Sequence, residues 1–125
     1  RGHDLGRVIL KGSAEPNTGV PGTVGGESGR RVLQAPQPGM LRAARAIGDR
    51  VGEGEPVVYV DSEPVRARLD GVVRGLLQDG LAVREGMKVG DVDPRGVVSH
   101  CFTISDKALA VAGGVVEAIL YLRRL

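Results

Sequence analysis

The stretch from Val32 to Asp93 is a duplication, and it constrains the fold more than any other feature of the sequence. When this stretch is shifted by 32 positions, it aligns with itself without a gap. The matched pairs include Gly39 with Gly71, Gly48 with Gly80, Glu53 with Glu85 and Asp61 with Asp93. Each copy alternates short apolar runs with glycine or proline turns, which is typical of β-strands joined by tight turns. One copy cannot bury its apolar face alone, so we predict two interlocked copies related by a pseudo-two-fold axis.

Within each copy, spaced glycines and valines follow one another in a fixed order. The first copy reads AP…G…G..V..G..V..V and the second reads A…GVV…DG..V..G…GD.D. This order resembles the biotinyl/lipoyl-type barrel-sandwich hybrid. The resemblance implies a mainly β fold of that type, to which a C-terminal α-helix is added. In carrier proteins of that family, biotin or lipoate is attached to a lysine at the hairpin between the two halves.

The corresponding hairpin of this chain has no lysine. Residues 60–65 read VDSEPV, and the three lysines of the chain lie elsewhere, at Lys11, Lys88 and Lys107. We therefore predict the barrel fold without the carrier chemistry, that is, without biotin, lipoate or a prosthetic lysine. A fold family alone does not fix what its members do.

Length and composition predict one cytoplasmic domain. A chain of 125 residues is the size of a single domain. We divide it into an N-terminal strand with a Gly/Pro-rich loop (1–31), the duplicated core (32–93) and a C-terminal turn and helix (94–125). A net charge of +2 and scarce aromatic residues argue against a nucleic-acid partner. A single cysteine fits a reducing compartment. The chain does not begin with methionine, so we expect it to be part of a longer protein.

The first 31 residues contain an apolar run and a turn-rich loop. Residues 6–12 read GRVILKG, which predicts a short strand between glycines. The later stretch EPNTGVPG is either a plain loop or a loop in which Asn17 and Thr18 contact a ligand or partner. His3 beside Asp4 could form a base–orienter pair or half of a metal site. No nucleophile follows at a recognisable spacing, which favours a surface contact.

A helix is predicted from about Asp106 to about Leu122. Ser105 is a good N-cap, and Asp106 suits the positive end of the helix. Arg123 and Arg124 suit its negative end. The glycines at 113–114 cost about 1 kcal/mol each relative to alanine, which predicts that a backbone or a ligand packs closely there.

The predicted helix also has an apolar arc that is wider than the single stripe of a usual surface helix. We expect a second copy of the chain, or an upstream domain, to cover the part of this arc that the barrel cannot. The helix is too short and too charged, with Glu117 in its middle, to span a membrane.

His100 and Cys101 form the one adjacent pair with metal-binding or nucleophilic chemistry. Structural zinc needs about four ligands, and the chain has one cysteine and two histidines, so we predict no metal. A buried cysteine that packs as a small hydrophobe is favoured. A position near a helix N-terminus activates thiols, which leaves a redox or ligand role for Cys101 open as well.

Four longer motifs point to a second resemblance. They are RGHDLGR at 1–7, EPNTGVPG at 15–22, KVGDVDPR at 88–95 and CFTISDKALA at 101–110. Together they resemble the accessory-protein family of the selenium-dependent molybdenum hydroxylase system, over essentially the whole chain. The resemblance implies a maturation helper for hydroxylases of the xanthine dehydrogenase type, with a Rossmann-like region upstream of this stretch. It implies no catalytic residue.

The sequence therefore predicts a non-catalytic accessory module that binds a partner or a cofactor precursor. The partners expected are the hydroxylase or its maturation machinery; no cofactor is predicted, and a molybdenum or selenium species as ligand has no support from residue spacing. The alternatives are a sulfur- or selenium-transfer module that uses Cys101, and a carrier-like domain that has lost its lysine. The binding candidates are His3, Asp4, Asn17, Thr18, Asp93, Arg95, His100, Cys101, Ser105, Asp106 and Lys107.

Overall fold

Strands form in the duplicated stretch wherever a short apolar run lies between glycine, proline or polar turns. The computed structural model describes residues 2–16 and 22–124. The strands are β1 (Val32–Gln34), β2 (Gly39–Ala43), β3 (Arg50–Val51), β4 (Pro56–Val60), β5 (Glu63–Arg66), β6 (Gly71–Leu76), β7 (Ala82–Val83) and β8 (Lys88–Asp93). Two single-turn 3₁₀ helices, Gly29–Arg31 and Val98–Cys101, flank them, and the helix α1 (Asp106–Leu122) follows.

The chain forms two compact units. The β unit is Val20–Phe102, and the helical unit combines Arg1–Gly19 with Thr103–Leu125. This division differs from the one that the sequence suggested, since residues 22–31 and 94–102 belong with the strands, whereas residues 2–16 belong with the helix.

The β unit consists of two antiparallel four-stranded sheets, with strand orders β1-β8-β6-β3 and β5-β4-β2-β7. A shift of 32 residues turns β1 into β5, β2 into β6, β3 into β7 and β4 into β8, so it converts one sheet into the other. The registers agree as well, because Leu33 lies opposite Gly90 as Val65 lies opposite Val58. The prediction of a mainly β fold with a C-terminal helix is confirmed, and each sheet contains strands from both copies.

The core of the β unit is aliphatic, in a chain that has only two tyrosines and one phenylalanine. Its most deeply buried apolar side chains are Leu33, Leu41, Val57, Val58, Val60, Val72, Val73, Val89 and Val92. Fully burying one such side chain stabilises the fold by about 1.5–3 kcal/mol. These valines suit strands because a β-branched side chain packs well on a pleated surface.

Two glycines at equivalent places begin β2 and β6. A Cβ atom at Gly39 would collide with the side chain of Asp61, and one at Gly71 would collide with the backbone of Asp93. Asp61 and Asp93 are themselves equivalent in the two copies. The repeated glycine therefore makes room for Asp61, which follows β4, in one copy and for Asp93, which ends β8, in the other.

The helix of the helical unit has the predicted bounds. The Ser105 hydroxyl accepts a hydrogen bond from the Ala108 N–H at 3.2 Å, as an N-cap does. Arg123 caps the C-terminal end instead of lying in the last turn. Among the described residues, none of the helices combines the length and the apolar character that crossing a membrane requires.

The helix glycines have different surroundings. A Cβ atom at Gly114 would collide with the carbonyl oxygen of Gly6, which confirms that a backbone packs closely there. At Gly113 a Cβ atom would meet nothing within 4 Å, so none of the described backbone of this chain packs closely there.

The predicted strand at 6–12 is wrong. Gly6 and Gly12, with φ of +81° and +100°, turn the chain at both ends of the apolar run, and residues 6–12 pair with no strand.

Candidate functional site

Asp93, the last residue of β8, is the centre of a buried ion-pair cluster. Only 1% of the residue is exposed. Its carboxylate accepts hydrogen bonds from Arg95 Nη2 at 2.7 Å, from Arg95 Nε at 3.0 Å and from Arg74 Nη1 at 3.0 Å. The hydrogen bonds from the Arg95 side chain are the largest cause that lowers the pKa of Asp93 from 3.8 to about 2. The charge of Arg74 lowers it further, whereas burial opposes the shift. Asp93 is therefore ionised at neutral pH, and the neighbouring arginines already balance its negative charge.

A tight turn brings Arg95 back onto Asp93. The Arg95 N–H donates to the Asp93 side chain at 3.0 Å, and the Gly96 N–H donates to the Asp93 carbonyl at 3.2 Å. Gly96 has a φ of +66°, a conformation that glycine adopts without steric cost. The local sequence Asp-Pro-Arg-Gly thus builds one half of the cluster by itself.

A β-bulge supplies the other half. Val73 lies opposite Val92 and Gly75 lies opposite Asp91, so Arg74 has no residue opposite it in the β6–β8 pairing. Bulges redirect side chains. The equivalent residue of the first copy, Arg42, lies in a regular ladder, and its guanidinium is 5.7 Å from the centre of the Tyr59 ring.

A third arginine, which is buried, contacts the same strand. Arg31 is 6% exposed, and its Nη2 atom lies 3.0 Å from Asp91 Oδ2. It also donates to the carbonyls of Gly22 at 2.9 Å and Val92 at 3.4 Å. Sequence reasoning missed Arg31 and Arg74 as members of the site. Their contacts with β8 depend on pairings between residues far apart in the chain.

Cys101 and His100 lie in the 3₁₀ helix Val98–Cys101, and Cys101 is half-buried instead of buried as predicted. The Cys101 thiol donates to the carbonyl of Val73 at 3.5 Å, a contact that a thiolate could not make. The side-chain Nδ1 atom of His100 is buried and has no hydrogen-bond partner among the described residues. Asp93, Arg95, His100 and Cys101 thus all lie in the β unit. Within the part of the chain that is described, no three His, Cys, Asp or Glu residues form a group that could hold a metal ion.

The remaining candidates belong to the helical unit or fall outside the description. His3 Nε2 lies 2.6 Å from Arg7 Nη2, and Arg7 Nε lies 3.4 Å from Asp4 Oδ1. This is a local cluster at the surface of its unit. Asp106 accepts a hydrogen bond from the Lys107 N–H at 2.8 Å, and Ser105 caps the helix. Asn17 and Thr18 lie outside the described residues.

The hairpin between β4 and β5 is a tight two-residue turn at Asp61 and Ser62. Asp61 has a φ of 54°, a value that aspartate tolerates better than most residues. Its Oδ1 atom accepts from the Met40 N–H at 2.9 Å, and its own N–H donates to the Met40 carbonyl at 2.9 Å. Of the chain's lysines, Lys88 lies on β8, where its Nζ atom is 3.6 Å from Asp91 Oδ1.

A groove of about 290 Å³ lies where the edge strands of the two sheets, β1 and β5, come together. The residues that line it are Val32, Leu33, Gln34, Pro36, Pro64, Val65, Arg66, Ala67 and Arg68. Its apolar residues come from both copies of the duplication, and its two arginines come from the second copy. The groove combines apolar walls with positive charge, which suits a ligand or peptide that has an apolar body and an anionic group.

Comparison with known proteins finds an uncharacterized relative. No family model matches the chain. The chain is 49% identical over 122 residues to the uncharacterized protein YqeB of Escherichia coli (strain K12). The match covers 98% of this chain but only 23% of the relative. The chain therefore spans about a quarter of the length of the curated relative that it matches.

Proposed function

We propose that this chain is a non-catalytic accessory module that binds a partner enzyme or a cofactor precursor. The observation that carries this proposal is the state of its polar residues. Asp93 is neutralised by two arginines, and the Cys101 thiol donates to a backbone carbonyl. Groups held in this way stabilise a surface, whereas a general base or a nucleophile needs a free lone pair directed at a substrate.

We further propose that the β unit has the barrel-sandwich hybrid fold of the biotinyl/lipoyl type but no carrier function. The strand orders of the two sheets and their exchange under the 32-residue shift support this fold. The hairpin at which carriers hold their lysine is the turn Asp61–Ser62 in this chain. Neither residue has an amine that a ligase could modify.

The partner that we propose is a selenium-dependent molybdenum hydroxylase of the xanthine dehydrogenase type, or its maturation machinery. The support is the resemblance of the four sequence motifs. One of them, KVGDVDPR, builds strand β8 and the Asp93–Arg95 turn, so it is needed for the fold of the β unit. The groove between β1 and β5 is the contact site that we propose, because Arg66 and Arg68 favour an anionic group.

Co-purification tests the contact. The tagged full-length protein is isolated from its host, and the hydroxylase is quantified by mass spectrometry beside the variants Arg68→Glu and Arg84→Glu. Arg84 is an exposed arginine of the same unit that does not line the groove. We expect Arg68→Glu to reduce the recovered hydroxylase at least several-fold and Arg84→Glu to leave it unchanged. Equal recovery with all three proteins would rule out the groove as the contact.

A transfer role for Cys101 is the second candidate. It is favoured by one observation, the buried Nδ1 atom of His100 beside it, which has no hydrogen-bond partner in the described part of the chain. Such an atom could accept the thiol proton after a rearrangement of the 3₁₀ helix. A Cys101→Ser variant that folds but fails to support hydroxylase maturation would establish this role instead.

A further inference from the structure

Helix α1 contains no buried residue, although most of its side chains are apolar. Leu109, Val116 and Leu120 are 59%, 56% and 56% exposed. All the buried apolar residues of the described chain lie between Val32 and Val92, so the described part of the helical unit has no core of its own. A helix of this composition normally packs an apolar stripe against another element.

One stripe of α1 has the spacing of a helix-pairing seam. Its residues are Asp106, Leu109, Gly113, Val116, Leu120 and Arg123, at successive separations of three and four. Residues with this spacing lie on one side of a helix, in the heptad pattern by which two helices pack together. Ile119 is apolar as well and lies at the edge of this seam, whereas Val115 lies about 100° around the helix from Val116, outside the seam.

The seam is complementary to itself when two copies run in opposite directions. In that arrangement Asp106 lies opposite Arg123 of the other copy. Leu109 then lies opposite Leu120, and Gly113 lies opposite Val116. Acid meets base at both ends, and the smallest residue meets a branched one at the centre. A parallel arrangement would instead place the two Asp106 residues together and the two Arg123 residues together.

Gly113 is the second observation that points to a partner helix. Glycine weakens a helix interior, and a close contact with another backbone is a physical reason for having it there. Gly114 is explained by the Gly6 backbone, but a Cβ atom at Gly113 would meet nothing within 4 Å in this chain. A glycine at the centre of a seam allows the backbone of a second helix to approach closely.

We propose that two copies of this chain associate through an antiparallel pair of α1 helices, with Asp106, Leu109 and Gly113 of each copy facing Arg123, Leu120 and Val116 of the other. The paired region is 17 residues long, or roughly 25 Å. We assign a second copy to the exposed seam because the charges and side-chain sizes along the seam are complementary to the same seam in the antiparallel orientation.

Sedimentation velocity over a concentration series tests the association. We expect the protein to approach twice its chain mass of 13.1 kDa as the concentration rises. Val116→Lys should raise the dissociation constant at least about tenfold, because it buries a charge in the seam. The matched control is Val115→Lys, which changes the neighbouring valine of similar exposure, 54%, outside the seam. This control should leave the dimer in place. A monomer at all concentrations, or equal effects of the two variants, would overturn the proposal.

A charge exchange tests the register without touching the apolar residues. Asp106→Lys alone and Arg123→Asp alone should each weaken self-association several-fold, because each homodimer then has like charges at both ends. Mixing the two variants should restore the dimer, since a heterodimer has opposite charges at both ends. Any effect of the two substitutions on the stability of the isolated helix is the same before and after mixing, so it does not account for the recovery. Absence of recovery on mixing would refute the antiparallel register, even if a dimer of another kind forms.

Discussion

The ion-pair cluster around Asp93 gives the sharpest energetic prediction. Replacing Asp93 with asparagine keeps the shape of the side chain but removes the charge that Arg74 and Arg95 share. A pKa lowered from 3.8 to about 2 corresponds to about 2.5 kcal/mol of stability in the ionised state. We therefore expect Asp93→Asn to lower the free energy of unfolding by about 2–3 kcal/mol at pH 7. For a domain of this size that change lowers the melting temperature by about 10 °C.

The pH dependence follows from the direction of the same shift. Because the folded pKa of Asp93 is lowered, the unfolded chain binds more protons between about pH 4 and pH 2. The stabilisation by Asp93 is complete above that range, and it is lost as the pH falls through it. Urea unfolding curves of the natural chain should lose this contribution between pH 4 and pH 2. Those of Asp93→Asn should be flatter over the same interval.

The duplication provides a matched control for this experiment. Asp61 is the equivalent residue of the first copy, but it is exposed, and its carboxylate accepts a hydrogen bond from the Met40 N–H. An asparagine can accept the same hydrogen bond and tolerates the positive φ of this position. Asp61→Asn should therefore change stability by at most about 0.5 kcal/mol. If both variants lose the same stability, or if Asp93→Asn keeps the pH dependence of the natural chain, the account of the cluster is wrong.

The other predictions concern the helix, the cysteine and the hairpin. Gly114→Ala should destabilise the helical unit because its Cβ atom collides with the Gly6 backbone. Gly113→Ala should instead raise the helix content. Circular dichroism measures both effects at a concentration where the chain is monomeric. Cys101→Ser should cost at most about 1 kcal/mol in urea unfolding and leave the chain folded, because the thiol is half-buried and a serine hydroxyl can donate to the same carbonyl; an unfolded variant would contradict this. After co-expression with biotin and lipoate ligases, the intact mass should be unchanged, and a mass increase equal to either group would overturn the argument from the hairpin.

The sequence predicted those features that depend on local chemistry or on the repeat. The glycine turns and the 32-residue shift indicated paired β units, and Ser105 fixed the start of α1, because a cap acts on the next turn only. The prediction of a strand at 6–12 was wrong because an apolar run between glycines does not show whether a partner strand is available. The Asp93–Arg95 half of the cluster could be predicted, because Arg95 is only two residues from Asp93 in the sequence.

Long-range features were not predictable in the same way. Both copies have an arginine at the position of Arg42 and Arg74, and only the pairing register shows that one of them lies at a bulge. The contact between Arg31 and Asp91 joins residues 60 positions apart. The groove depends on the edge strands β1 and β5. They lie close together because each sheet contains strands from both copies.

The activity of the molybdenum hydroxylase in cells that lack this protein tests the proposed accessory role most directly. The measurement is hydroxylase activity per amount of hydroxylase polypeptide, with the gene deleted and then restored as the natural form or as Cys101→Ser. We predict that deletion lowers this specific activity and that both forms restore it. Unchanged activity after deletion would contradict an accessory role. Failure of a folded Cys101→Ser variant to restore activity would contradict a non-catalytic one.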